Sequence, residues 1–280
     1  MKKTILAICA LACFAQTGFS QKVEVKDVIS KHLASIVGPE RPGDLKNVTA
    51  VGGATYTQPS NRQRQYPGKA VMVSDGRKLA FAMTFNLDGY NVEQIVYDSK
   101  KLNVAFVRPG VRSALGEYLF RNEEIVKEGL LGGVLSSVWT FRNPDEKKGS
   151  MSFDGTKKVN GKDAYVISYT SKGGSGTSIK LFFDTETGRH LRTHYRHVMS
   201  AAQGRTPETS ANQSDSIEEL TEEFGEFKTE NGLTLPRSYT IRLVQTNGAA
   251  SRDFFYSLVF DTFYYDQKLD PATFEFSTKY

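Results

Sequence analysis

From Asn47 onward the apolar residues of this chain recur every second position, in short runs broken by glycine-containing turns. That pattern constrains the fold more than any other feature. The runs NVTAVGGATYT, KAVMVSD, KLAFAMTF, VEQIVYD and LNVAFVRP are separated by Asp75-Gly76, Asp88-Gly89 and Ser99-Lys100. Period-two alternation with such turns predicts an antiparallel meander. In KLAFAMTF the bulky residues Leu79, Phe81, Met83 and Phe85 alternate with Ala80, Ala82 and Thr84, so one face is large and the other nearly bare. Strand patterns resume in AYVISYT, SIKLFFD, HLRTHYRHV, EELTEEFGEF, RSYTIRLVQ and RDFFYSLVFDTFYY. The sum is about eleven strands.

Two stretches depart from this period. Val25, Val28, Ile29, Leu33 and Ile36 follow helical spacing over 23–37, and Gly38-Pro39 ends it. His32 lies on the apolar face of that helix and is read as a packed histidine. Val111, Ala114, Leu115, Tyr118 and Leu119 mark a second helix, and Asn122 followed by Glu123 and Glu124 reads as the N-cap of a third. A helical pair is therefore expected over about 111–131, followed by Trp139 and a turn rich in Pro, Asp and Lys at 143–149. Residues 200–216 are polar with Gly and Pro and read as a surface loop.

The first twenty residues have Lys2 and Lys3, an apolar run from Ile5 to Phe14, and Gly18 and Ser20, the pattern of a secretory signal. A chain starting near Gln21, exported and soluble, is expected. Both cysteines, Cys9 and Cys13, fall inside that segment, which excludes thiol chemistry and disulfides from the exported part. Ala10-Leu11-Ala12-Cys13 faintly resembles a lipoprotein cleavage box. The leucine three places before the cysteine is missing, so a lipidated Cys13 is not expected. The formal charge of +5 falls to +3 without Lys2 and Lys3. Its basic residues are dispersed, which argues against nucleic-acid binding.

His190, His194 and His197 would stack on a helix, but the surrounding segment reads as a hairpin turning at Asp184 to Gly188. On a strand, His190, Arg192, His194 and Arg196 share one face, expected to be an exposed basic one. His197 points to the other with Leu191 and Tyr195. No metal site is expected. GGSGT (173–177) lacks the spacing of a nucleophile elbow, and GTKKVNGKD (155–163) that of a phosphate loop. The pairs Glu218/Glu219 and Glu222/Glu223 read as a solvated edge. In FFYSLVFDTFYY (254–265), Phe254, Tyr256, Leu258 and Phe260 lie on one face and Phe255, Val259 and Phe263 on the other, a strand covered on both sides or lining an apolar cavity.

In order and in local phrasing, the opening helix, VMVSDGRKLAF (71–81), VNGKDAYVISYT (159–170), LFFDTETGRHLRTHY (181–195), FGEFKTENGLTLPRSYTI (224–241) and FYYDQKLDPATFEFS (263–277) resemble the periplasmic lipoprotein-carrier family, the LolA-like outer-membrane lipoprotein-sorting proteins. The resemblance implies a mainly β fold, an unclosed antiparallel β-barrel with helices packed against its concave face. Residues 21–280 would form a single such half-barrel, with the helical insertion at about 111–131 lengthening the usual pattern. It further implies a non-catalytic periplasmic carrier, without cofactor, that holds acyl chains of lipoproteins or lipids in an apolar cavity and sorts them toward the outer membrane. An inner-membrane transporter and an outer-membrane receptor are the implied partners, and the chain is expected to be a monomer. Phe81, Met83, Phe85, Phe183, Tyr195, Leu258 and Phe260 are the candidate cavity residues, for their bulk on strands of that barrel. Neither Arg62 nor Arg64 aligns with the arginine that closes the pocket in relatives. An envelope lipid sensor on the same fold and a secreted metal-dependent hydrolase are the rival readings.

Overall fold

The computed structural model describes residues 23–38, 45–58, 64–90, 92–142, 149–174, 176–200 and 215–276. The signal-like segment, Arg62, most of the turn at 143–149 and nearly all of the loop at 200–216 lie outside them. Twelve strands form one sheet: β1 (Asn47–Thr57), β2 (Gln65–Asp75), β3 (Lys78–Phe85), β4 (Glu93–Tyr97), β5 (Leu102–Val104), β6 (Ser150–Val159), β7 (Lys162–Thr170), β8 (Thr177–Asp184), β9 (His190–Met199), β10 (Ser216–Glu230), β11 (Leu233–Asn247) and β12 (Ala250–Tyr265). Apart from β5 and β6, sequential neighbours pair antiparallel, and β1 pairs antiparallel with β12 in the middle of the sheet. The order is β5-β4-β3-β2-β1-β12-β11-β10-β9-β8-β7-β6, so the sheet ends on β5 and β6 and stays open as a half-barrel.

The strand missing from the sequence reading is β6. It is an edge strand, largely exposed on both faces, with Lys157 and Lys158 and a register break between Phe153 and Thr156. Wet on both sides, it carries no apolar alternation to detect. Two hairpins, β6–β7 and β10–β11, turn on Asn-Gly pairs with positive φ at both residues, the geometry that matches the twist of paired strands.

Helix α1 (Val25–Ile36) buries Val28, His32 and Ile36. It lies against the β10–β11 turn, where the Gly38 N–H donates to Gly232 O at 2.8 Å. The chain between β5 and β6 carries α2 (Ala114–Arg121), α3 (Glu124–Lys127) and a 3-10 turn at Gly133–Leu135. This insert packs on one face of the sheet. Val111 is 43% exposed and precedes the helix, which begins after Ser113, whose Oγ accepts from Gly116 N at 2.8 Å. Asn122 does not cap the third helix. It is the C-cap of α2, with its Nδ2 donating to Tyr118 O at 2.9 Å and its Oδ1 accepting from Thr177 Oγ1.

Two bulges shift the side-chain phase. On β9 an extra residue, Leu191, sits between the partners of Phe182 and Phe183, so His190 turns inward and is fully buried. The expected face of His190, Arg192, His194 and Arg196 therefore loses its first member. Leu191 joins a smaller cluster with Val159, Val166 and Phe182 on the opposite side of the sheet from Tyr195. On β12 the extra residue is Asp261, and beyond it Phe263 returns to the inner face and packs on the main core. Glu218 and Glu222 also differ from expectation. Strand β10 is central, paired with β9 and β11, and both carboxylates are buried on its inner face.

Candidate binding site on the concave face

The concave face is one apolar cluster running from β5 at one side to β7 at the other, with the insert packed into it. All seven candidate residues lie in it. Phe81, Met83 and Phe85 come from β3, Phe183 from β8, Tyr195 from β9, and Leu258 and Phe260 from β12, none more than 6% exposed. Ring contacts link distant strands: Phe81 to Tyr239 at 6.3 Å, Tyr239 to Phe260 at 6.5 Å and Phe224 stacked on Tyr239 at 5.2 Å. Phe85 sits apart in an aromatic group with Tyr56, Tyr90 and Tyr256. With the insert seated, these side chains are buried in one cluster with apolar residues of the insert.

Polar groups fix the insert on this face. Glu222 accepts from Tyr195 Oη at 2.6 Å, from Tyr239 Oη, and from the Gly132 N–H of the insert at 2.8 Å. Burial pushes its carboxyl above the ordinary range, and those three donors pull it back. Glu218 takes Arg121 of α2 through both oxygens at 2.9 Å and Gln245 Nε2 at 2.7 Å. Glu93 on β4 accepts from Tyr90 Oη, and burial raises its carboxyl too. A Cβ on Gly116 of α2 would come within 2.8 Å of Glu93 Oε1, so the helix rests directly on that carboxyl. Gly133 has φ +48, and a Cβ there would meet His190 Nδ1 at 2.8 Å and Phe224 at 2.9 Å. The insert approaches this closely only because the residue is glycine.

The buried histidines belong to the same arrangement. His32 Nδ1 lies 3.0 Å from Gly188 O and its Nε2 2.9 Å from the Trp139 indole nitrogen. A carbonyl only accepts and an indole N–H only donates, so the Nδ1–H tautomer is fixed and the ring is neutral. Burial lowers its pKa to about 3, with the Gly188 hydrogen bond opposing and the Arg142 charge adding. His190 stacks on Trp139 at 4.8 Å, donates from Nε2 to Arg192 O at 3.0 Å, and is driven well below its usual value, chiefly by burial. One helix, the insert and the β8–β9 turn thus meet at His32. The three histidines of the 190–197 stretch do not converge: His190 is internal, His194 lies 3.4 Å from Glu219 outside, and His197 bonds Thr177.

These polar clamps were missed in the sequence. The signal was present for two of them: Glu218 and Glu222 are in phase with Leu220 and Phe224, which marks the inner face. Nothing in the sequence pairs His32 with Trp139, 107 residues away.

A cavity of about 440 Å³ lies beside the insert, between the β2–β3 turn and β4 on one side and β7 on the other. None of the seven candidate residues lines it.

No protein-family model matches the chain, and no curated protein does. Among solved structures, the chain is similar to a LolA superfamily protein from Nitrosomonas europaea at 13% identity, over 90% of this chain and 98% of that one, with a TM-score of 0.47. It is similar to an outer membrane lipoprotein-sorting protein domain from Vibrio parahaemolyticus (13%, 89% and 94%, TM-score 0.45) and to a DUF1329 family protein from Desulfovibrio piger (12%, 90% and 97%, TM-score 0.45).

Proposed function

We propose that this protein is a non-catalytic carrier of the periplasm that binds acyl chains of lipoproteins or lipids against its concave face and passes them toward the outer membrane. One observation supports the reading above others. The apolar face of the half-barrel is covered by a helical insert that packs apolar side chains such as Leu115, Leu119, Ile125 and Leu131 into the core and is tied by polar clamps, and not by paired strands. Such a cover can be lifted without breaking the sheet. No helix among the described residues is long and apolar enough to cross a membrane.

The energetics suit transient holding. Burying a methylene gains about 0.8 kcal/mol, so a 16-carbon chain gains up to about 12 kcal/mol. Against this stands the cost of exposing the insert and releasing its clamps. A small balance allows release to a better acceptor. An inner-membrane transporter as donor and an outer-membrane receptor as acceptor are the partners this role requires.

The test is photolabelling with a diazirine-bearing palmitate below its micelle concentration. Labels on β3 and β12, at Met83, Leu258 or Phe260, are expected. No labelling of these strands, with no lipid retained in native mass spectrometry of gently purified protein, would sink the carrier reading.

A further inference from the structure

On the convex face the strand registers set two short side chains among long ones. Thr221 of β10 stands directly opposite His194 of β9 on one side and Arg242 of β11 on the other, and Arg242 stands opposite Phe255 of β12. Two residues along the strands, Arg192 of β9 faces Glu223 of β10, which faces Thr240 of β11. The two threonines are therefore diagonal neighbours on adjacent strands and form a floor, while the longer side chains around them form walls. The groove so made holds about 380 Å³, within the range of small-molecule sites.

The charges of its walls cancel. Arg192 donates from Nε to Glu223 at 2.8 Å and from Nη2 to the same carboxylate. Arg242 forks onto Asp253, with Nε to Oδ1 at 2.9 Å and Nη2 to Oδ2 at 2.8 Å. Two guanidinium groups against two carboxylates leave no net charge, so neither an anion nor a cation is favoured. His194 adds none near neutral pH, because burial lowers its pKa, with Glu219 opposing. What the pairs supply is order: planar groups already held in place lose little freedom when a ligand binds. Each guanidinium keeps its Nη1 unspent among the described residues. The Thr221 and Thr240 hydroxyls likewise bond no other described residue, and the Phe255 ring meets no other described ring.

We propose that this groove binds a neutral saccharide, one pyranose ring lying on Phe255 with its hydroxyls on Thr221, Thr240 and the free edges of Arg192 and Arg242. A sugar hydroxyl both donates and accepts, and a lining of hydroxyls, guanidinium N–H groups and carboxylate oxygens satisfies both roles. The C–H groups on one face of a pyranose carry a slight positive charge and suit the negative face of an aromatic ring. A charged ligand would lose its water against pairs already balanced, and an acyl chain would leave the hydroxyls and N–H groups dry and unpaired. The groove and the concave face share no side chain, so either can fail alone.

Amide and aromatic NMR shifts read occupancy. The probes are glucose, galactose and N-acetylglucosamine as neutral sugars, glucuronate and glucosamine as charged ones, and sorbitol as a polyol without a ring. At least one neutral sugar should give saturable shifts in the millimolar range, confined to Phe255 and the strands around Thr221 and Thr240. Glucuronate, glucosamine and sorbitol should each bind at least fivefold more weakly than the best of the three. Phe255→Thr removes the aromatic platform, and the double variant Thr221→Val/Thr240→Val removes both hydroxyls at nearly constant shape. Each should weaken binding at least fivefold with the urea midpoint close to that of the parent. No saturable shift with any neutral sugar, sorbitol binding equally well, or variants that bind as the parent does, overturns the saccharide site. Tighter binding of glucuronate or glucosamine overturns the neutral class. Failure here leaves the carrier reading intact, because that reading is scored by labels at Met83, Leu258 or Phe260.

Discussion

Glu222 and Glu223 are adjacent on β10 and face opposite sides of the sheet. Glu222 is fully buried, with two tyrosine hydroxyls and a backbone N–H on its oxygens. Glu223 is partly exposed and pairs with Arg192 on the neighbouring strand, with Nε at 2.8 Å. The same contrast recurs four residues earlier, where Glu218 grips Arg121 of the insert and Glu219 lies near His194 and Arg196 at 3.4 and 3.8 Å. Inner carboxylates reach across to the insert, whereas outer ones bridge strand to strand. Burial needs full hydrogen bonding to be tolerated, and water makes the outer pairs nearly optional. The two faces of one strand therefore do different work: one fastens the cover, the other decorates a sheet already paired.

The strongest way to break this distinction is Glu222→Leu. It strands the Tyr195 and Tyr239 hydroxyls and the Gly132 N–H in the core, each costing on the order of 1–3 kcal/mol when unsatisfied. Part of that is returned because a buried carboxyl no longer has to be desolvated. A net loss of about 3 kcal/mol is expected in urea unfolding, together with faster amide hydrogen exchange over 129–135. Glu222→Gln keeps one acceptor oxygen and should lose less. Unchanged exchange over 129–135 in Glu222→Leu would mean that the carboxylate does not fasten the insert.

Acid titration sharpens the contrast from the inner side. His32 is held neutral with its pKa lowered to about 3, so between about 6.5 and 3 the unfolded chain binds a proton that the folded chain refuses. Stability from this group is complete above pH 6.5 and drains as pH falls, at up to about 1.4 kcal/mol per pH unit. His190 acts in the same direction. Glu93 and Glu222, raised by burial, act oppositely, because the folded state then takes up protons more readily than the unfolded one. His32→Gln isolates the histidine: its amide oxygen can still accept from the Trp139 N–H, but it does not titrate. The plot of unfolding free energy against pH should be shallower in the variant by about that slope. Parallel plots for variant and parent would place His32 in a wetter site than the hydrogen bonds describe.

Much of the fold could be read from the residues because alternation is local. The bulky face of β3, the opening helix with His32 packed inside, and the hairpin at Asp184 to Gly188 all follow from neighbours a few positions apart. Misreadings fall where one residue changes the phase. Leu191 and Asp261 each add a residue opposite a continuous partner strand, and this sends His190 and Phe263 to the inner face. A bulge is decided by pairing with another strand, so the strand that carries it gives little warning. The carboxylates of β10 failed for another reason: their charge suggested water, although Leu220 and Phe224 shared their phase. The seven candidate residues are buried on the inner face, but how the insert packs over that face depends on contacts between segments more than 100 residues apart, such as Trp139 with His32.

The smallest expected effect comes from the outer face, and it is asymmetric. Glu223→Ala removes one partner of an ion pair in contact with water, where the Coulomb gain is small and partly cancelled by side-chain ordering, so a loss below about 1 kcal/mol is expected. Arg192→Ala should cost more than Glu223→Ala, because the Arg192 guanidinium also lies 5.8 Å from the Phe182 ring centre and its stem covers apolar surface there. In 1 M salt, where the screening length shrinks to about 3 Å, the effect of Glu223→Ala should all but vanish while that of Arg192→Ala persists. Urea midpoints of the two variants at low and high salt measure this directly. A loss for Glu223→Ala that matched Glu222→Leu and resisted salt would mean that the outer carboxylate is as tightly bound into the structure as the inner one, and the division of labour between the two faces of β10 would be wrong.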